Sequence, residues 1–363
     1  MMAHATKRLL VLAVLTACSH SASNVVTFGA AGPWSAAYGD ANRKGIQLAL
    51  EEINASPAWA GKRQLDIKFE NDSGSGVTAG AVAQRFVSDP RIVAVVGHVN
   101  SGAMLSAARV YDGRLVAVAT TATSPGLTGV SPWSFRMISS DSANGQTLAG
   151  YANRLGRKHA AVLYENNPYG RGLAENFRHS FAGTIVSIDP IADGRDQNFE
   201  PYVTWFKRQQ LDLVFVAGTE ASGFAFLKEA RRQQLAVDLM GGDGWQTLVS
   251  DPAAEGILVG APFSVDDKRP EVQAFVTAYK RRYDGALPDG NAALAYDATK
   301  LLAAAVLRVG PDRAGIRNHL ASLREPYAGV TGPIRFRSDG DPIGKGIVMT
   351  RVHNGVLHLE SDR

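Results

Sequence analysis

Two short stretches combine hydroxyls with small residues in a way that suits ligand binding, His98-Val99-Asn100-Ser101 and Thr120-Thr121-Ala122-Thr123-Ser124. Each follows an apolar run, residues 93–96 and 115–119, and the dozen residues after the first run carry helical spacing. The pattern is strand, loop, helix, strand, loop. Both loops then leave the carboxyl ends of neighbouring parallel strands, where open α/β sheets bind ligands, and their small residues let a ligand approach backbone amides. The chemistry on offer is hydrogen bonding. Ser101 reads both as the cap of the following helix and as a donor at an anion-binding helix N-terminus. Thr123, taken alone, reads as a turn residue.

Nothing in the chain turns these hydroxyls into a hydrolytic site. There is no GxSxG elbow, no HExxH helix and no closely spaced His and Cys ligand set, so neither an enzyme nor a metal site is expected. His98 follows the strand-ending Gly97 and reads as a structural hydrogen-bonding residue. No GxGxxG follows the first strand and no GxxxxGK[ST] occurs, which argues against a nucleotide enzyme and leaves no cofactor expected.

The chain has 363 residues, 45% of them apolar and 20% charged, which suits a globular protein of about two domains. Its first residues speak to compartment. Lys7 and Arg8 precede LLVLAVLTA, a run too short to span a bilayer and suited to a secretory signal over residues 1–17. It ends in Leu15-Thr16-Ala17-Cys18, which resembles a bacterial lipobox, and Cys18 is the only cysteine in the chain. Lipidation at Cys18 and attachment to a bacterial membrane through that lipid alone are expected, on the periplasmic or cell-surface side. The net charge is +4, and removing Lys7 and Arg8 leaves 36 basic against 34 acidic residues. A nucleic-acid partner is not expected from so small an excess.

The remaining elements are those that must hold the two loops. A strand at 25–29 leads through a loop containing Trp34 and Tyr38 to a helix at 40–54, and two aromatics at a strand-end loop favour a pocket wall. A strand at 65–69 and a helix at 77–87 follow, and this alternation forces a parallel sheet covered on both faces. Beyond a transition around residues 135–142 the alternation resumes. Helix 148–155, strand 159–164, a loop at 167–170 containing Tyr169, helix 173–181 and strand 184–188 are expected. Helix 196–210, strand 211–217, helix 221–233 and strand 237–240 lead to Gly241-Gly242-Asp243-Gly244-Trp245, where Asp243 alone reads as a turn former. A strand at 256–261, helices at 271–283 and 292–307, a strand at 329–336, a tight turn at 338–341 and a hairpin turning at Asn354-Gly355 complete the chain.

Taken together, GAAGPWSAAYGDANRKGIQLALEEIN, VVGHVNSG, ATTATSPGLT, YENNPYGRGLAENF, GGDGW, AYDATKLLAAAV and GVTGPIRFRSDGDP, following the lipobox, are similar in kind and order to the Leu/Ile/Val-binding, or type I periplasmic, family of bacterial solute-binding proteins. The resemblance covers essentially the whole mature chain. It implies an α/β fold of two doubly wound Rossmann-like lobes with parallel central sheets joined by a three-strand hinge. The crossovers would fall near residues 139, 263 and 332, giving one lobe from 24–139 and 264–331 and a second from 140–263 and 332–363.

The same resemblance assigns roles. Ser101 matches the family's hydroxyl at the end of the third strand, and Ala122 with Thr123 matches the position that holds both ends of an amino-acid backbone. Asp243 matches the acidic residue that binds the ammonium group, with Trp245 two residues on. Tyr169 matches an aromatic that closes over the ligand from the second lobe, Tyr38 one that lines the side-chain pocket, and Trp34 is a weaker neighbour. Where the aliphatic amino-acid receptors carry aromatics after the strand ending near Ala217, this chain has Gly218-Thr219-Glu220. Glu220 thus offers a second carboxylate, which favours a more polar amino acid, an amide or a urea-like solute. The implied function is capture of a small solute between the lobes by a monomer and its delivery to an ABC transporter permease. A sensory module on the same fold is the alternative.

Overall fold

The computed structural model describes residues 24–193 and 197–360. The expected signal segment and Cys18 lie outside the described residues.

The first half builds a sheet from β1 (Val25–Gly32), β2 (Gln64–Asn71), β3 (Ile92–Gly97), β4 (Ala117–Ala119) and β5 (Ser134–Arg136). The helices between them are α1 (Ala37–Ala55), α2 (Gly76–Ser88) and α3 (Ser101–Tyr111). All four strand pairings are parallel, in the order β2-β1-β3-β4-β5. β3 is buried along its whole length, as its unbroken apolar run requires in a sheet covered on both faces.

The second half repeats the plan with α4 (Asp141–Arg154), β6 (His159–Glu165), α5 (Pro168–Ser180), β7 (Thr184–Ile191), α6 (Glu200–Phe206) and β8 (Leu213–Ala217). It continues through α7 (Glu220–Arg232), β9 (Asp238–Gly241), a 3₁₀ segment Asp243–Ser250 and β10 (Leu258–Ala261). β7-β6-β8-β9-β10 are parallel and repeat the first sheet's strand order. α8 (Pro270–Arg282), α9 (Gly290–Val309) and α10 (Arg313–Ala321) then return to the first sheet. The hairpin β11 (Tyr327–Gly329) and β12 (Gly332–Ile334) follows, and β13 (Val348–His353) with β14 (Val356–Leu359) adds two antiparallel strands to the second sheet. The chain passes between the two halves three times, after Arg136, after Ala261 and after Ile334.

α9 packs tightly on α1. A Cβ at Gly45 would stand 2.1 Å from the Ala292 carbonyl oxygen, so only glycine lets these two backbones meet. On the other face, α2 and α3 cover the sheet with Val82, Phe86, Met104 and Tyr111.

Several boundaries differ from expectation for identifiable reasons. Tyr38 and Tyr169 sit in the first turns of α1 and α5, not in loops. At α5 the Asn167 side chain accepts from the amides of Tyr169 and Gly170, with Pro168 at the first helical position. The helix expected from residue 196 begins only at Glu200, whose amide donates to Asn198, and ends at Phe206. The single strand expected at 329–336 is instead the β11–β12 hairpin. Asp297 of α9 pins its turn, accepting from the Val330 and Thr331 amides and the Thr331 hydroxyl, while Gly332 takes φ +95°. α10 was not expected from the sequence pattern.

Candidate functional site

In each parallel sheet the strand order reverses beside its first strand, between β1 and β3 in one half and between β6 and β8 in the other. Carboxyl-end loops diverge there and leave a crevice. The two crevices face each other, and a cavity of about 310 Å³ lies between them. Its wall draws on both halves, with Tyr38, Asn100, Ser101 and Thr121 from the first and Glu165, Tyr169, Glu220 and Asp243 from the second.

Ser101 is the first residue of α3, not its cap. The cap is Asn100, whose side chain makes no capping bond. The Ser101 Oγ instead accepts from the amides of Thr123 and Ser124, both at 3.1 Å. Arg136 holds the same loop from behind, donating through one guanidinium nitrogen to the carbonyls of Thr123 and Ser124 at 3.0 and 2.9 Å and pairing with Asp341 at 2.6 Å. Ala122 and Thr123 are fully buried behind the cavity wall, and the residue of this loop that reaches the cavity is Thr121.

Across the cavity, Tyr169 donates its hydroxyl to Asp243 at 3.1 Å and accepts from the Gly244 amide at 3.1 Å. Asp243 is 6% exposed, and burial lifts its carboxyl to about 6 against the pull of the Tyr169 hydrogen bond. Behind it Asp141 is wholly buried, with the Thr123 and Asn144 side chains and the Arg136 charge nearby. Burial and then the Asp243 charge push Asp141 well above the carboxylate range. Trp245 does not reach the cavity. It is fully buried, and a Cβ at Gly241 would stand 2.2 Å from its ring, so that glycine of GGDGW makes room for the indole.

At the Tyr38 end the groups are more acidic. Asn100 donates to the Tyr38 hydroxyl at 2.9 Å. Burial, followed by the charges of Glu220, Glu165 and Asp72 and opposed by that hydrogen bond, pushes Tyr38 up to about 12. Glu165 ends β6 and accepts from the Thr219 amide and hydroxyl and from the Ser222 hydroxyl. Glu220 opens α7 and accepts from Ala37 of the opposite half and from the Thr247 hydroxyl at 2.6 Å. Trp34 turns away, donating to the Glu70 carbonyl and packing edge-on against Phe69. His98 is wholly buried between Asp72 at 2.6 Å and the Tyr111 hydroxyl at 2.9 Å.

Sequence reasoning missed Thr121, Asn100 and Glu165. Thr121 and Asn100 neighbour residues that were singled out, and Glu165 ends a strand facing the same crevice, so strand-end position was the available signal. Among the described residues no group of three or more His, Cys, Asp or Glu is arranged to hold a metal ion, and no helix is long and apolar enough to cross a membrane.

The family model described as periplasmic binding protein matches residues 26–355. An amino acid binding protein of Pseudomonas aeruginosa is 29% identical over 357 residues, covering 92% of this chain and 91% of its own. Among solved structures, an ABC transporter substrate-binding protein of Desulfitobacterium hafniense in complex with Leu is 31% identical with a TM-score of 0.81, covering 93% of this chain and all of its own. A branched-chain amino acid transporter substrate-binding protein of Streptococcus pneumoniae in complex with isoleucine is 27% identical with a TM-score of 0.85, covering 92% of this chain and 98% of its own.

Proposed function

The chain belongs to the periplasmic binding protein family, the solute-binding proteins of ABC transporters, and from that premise we propose that it captures a small amino acid or amino-acid-like solute and delivers it to a membrane permease. The observation that carries the reading is the pairing of Ser101 with Asp243 and Tyr169 on opposite walls of one cavity. A zwitterion needs donors for its carboxylate and an anion for its ammonium, and these walls offer both. α3 presents its N-terminus beside Ser101, so its first amides suit the carboxylate. Asp243, with one side-chain partner, suits the ammonium. Thr121 adds a hydroxyl, while Ala122 and Thr123 fix the loop and Trp245 fixes the turn that carries Asp243. The relatives whose names or complexes specify amino acids support this ligand class.

The two halves, divided by the passages after Arg136, Ala261 and Ile334, act as lobes that close on the solute, which would bind one wall and then bridge to the other. Cys18 carries a lipid that holds the monomeric protein on the outer side of a bacterial membrane. A thermal-shift screen against amino acids, amides, urea and small carboxylates tests the reading, because a ligand of the native state raises the melting temperature. The expected result is a rise with one class of α-amino acid, abolished by Asp243→Ala. Stabilisation by small carboxylates alone would contradict it.

A further inference from the structure

The polar groups at the Tyr38 end of the cavity are unsuited to an aliphatic side chain. Building on the amino-acid reading above, we infer that this end receives a positively charged, N–H-donating side chain, an amine or a guanidinium, extending from the backbone groups held at Ser101 and Asp243. Glu165 and Glu220 line the cavity here and are 1% and 8% exposed. Every donor that reaches them among the described residues is neutral. Glu165 takes the Thr219 amide and hydroxyl and the Ser222 hydroxyl on one oxygen and the Asn167 amide group on the other. Glu220 takes the Ala37 amide and the Thr247 hydroxyl. Among the described residues lining the cavity there is no lysine, arginine or histidine.

Two buried carboxylates therefore share one wall without a counter-charge from the described residues that line it. Hydrogen bonds from neutral groups orient such carboxylates but leave their charge in place, and a cation entering the same desolvated space offsets it. The Asn100 Oδ1 atom is buried and has no donor among the described residues while its amide nitrogen is committed to Tyr38, which leaves an acceptor for a ligand N–H. Burial is the first cause of the elevated Tyr38 hydroxyl, and the charges of Glu220 and Glu165 add to it. A branched aliphatic side chain would cover these groups and remove their remaining water without supplying a donor. Lysine and arginine supply both charge and donors, and the planar guanidinium can meet a carboxylate through two of them.

Norleucine has lysine's chain without the amine, so the two compounds isolate the inferred contact. Calorimetry on the full chain in detergent should show lysine or arginine binding at least tenfold more tightly than norleucine and leucine. Glu220→Gln keeps an oxygen for the Ala37 amide but removes the charge, and it should reduce the lysine-to-norleucine ratio at least threefold. Norleucine or leucine binding as tightly as lysine overturns the inference and leaves the amino-acid reading intact. An unchanged ratio in Glu220→Gln likewise overturns the part assigned to Glu220. Lysine binding that survives Asp243→Asn, or the failure of every α-amino acid to bind, overturns the underlying reading and this inference with it.

Discussion

One carboxylate oxygen of Glu220 accepts the amide N–H of Ala37 at 2.9 Å, joining the first turn of α7 in one half to the first turn of α1 in the other. α1 has no side-chain cap of its own, since Ala36 occupies that position, so the opposite half satisfies an otherwise orphaned helix donor. Gln246 repeats the device at a second helix, accepting the Gly290 amide of α9 at 2.9 Å. Both bonds join the two halves across the cleft.

Breaking them should favour the open form. Glu220→Ala combined with Gln246→Ala should increase the radius of gyration of the unliganded protein in small-angle scattering, whereas Glu220→Gln should leave it unchanged. Each bond is worth roughly 1 kcal/mol, more where the acceptor is charged. Scattering that is identical for wild type and double variant would show that these bonds do not set the closure equilibrium.

The architecture was legible because alternation and strand-end composition are local signals. The unbroken apolar run of β3 and the small polar residues after it sufficed to place Ser101 on a crevice. Details set by contacts distant in sequence were not legible. Nothing near Thr123 says that its amide is taken by Ser101, or its carbonyl by Arg136, so a loop that reads as ligand-facing has its backbone committed internally. Glu220 is visible as a strand-end acid, but its bond to Ala37 spans 183 residues. The β11–β12 turn depends on Asp297, more than thirty residues upstream, and a pattern of apolar residues cannot reveal such a partner.

Ser101→Ala should damage both stability and binding. It removes the acceptor for two buried amides, Thr123 and Ser124, and leaving such donors unpaired costs about 2 kcal/mol. A melting-temperature fall of roughly 4 °C is expected in calorimetric scans. Affinity should fall at least tenfold, because the displaced loop carries Thr121. A variant with wild-type melting and affinity would refute this part of the site.

Trp245 is predicted to act through packing. Trp245→Ala empties the space beside Gly241 and should cost about 3–5 kcal/mol. Trp245→Phe should cost far less, since its ring fills much of that space and it removes a buried indole N–H that has no partner. Chemical denaturation of the two variants measures the difference. The order of affinities among ligands should be unchanged in Trp245→Phe, and a reordered ligand series would place the indole in the specificity pocket.

The pH response should separate ligand binding from stability, because Asp243 drives them in opposite directions. The folded protein holds the Asp243 proton up to about pH 6, while an unperturbed aspartate releases it near 3.8. Between those values the native state binds more protons than the unfolded chain, so the contribution of this group to stability falls as pH rises through the window. Asp243→Asn removes that contribution and should raise the melting temperature of the unliganded protein at pH 7.5 by roughly 3 °C. The ammonium of a ligand needs the ionised carboxylate, so affinity should be constant above pH 7 and fall about tenfold per unit well below 6. Calorimetric titrations at pH 5, 6 and 7.5 with one amino acid test the binding limb, and melting curves over the same range test the stability limb. Affinity that does not change between pH 5 and 7.5 would remove Asp243 from the ammonium site whatever the melting curves show.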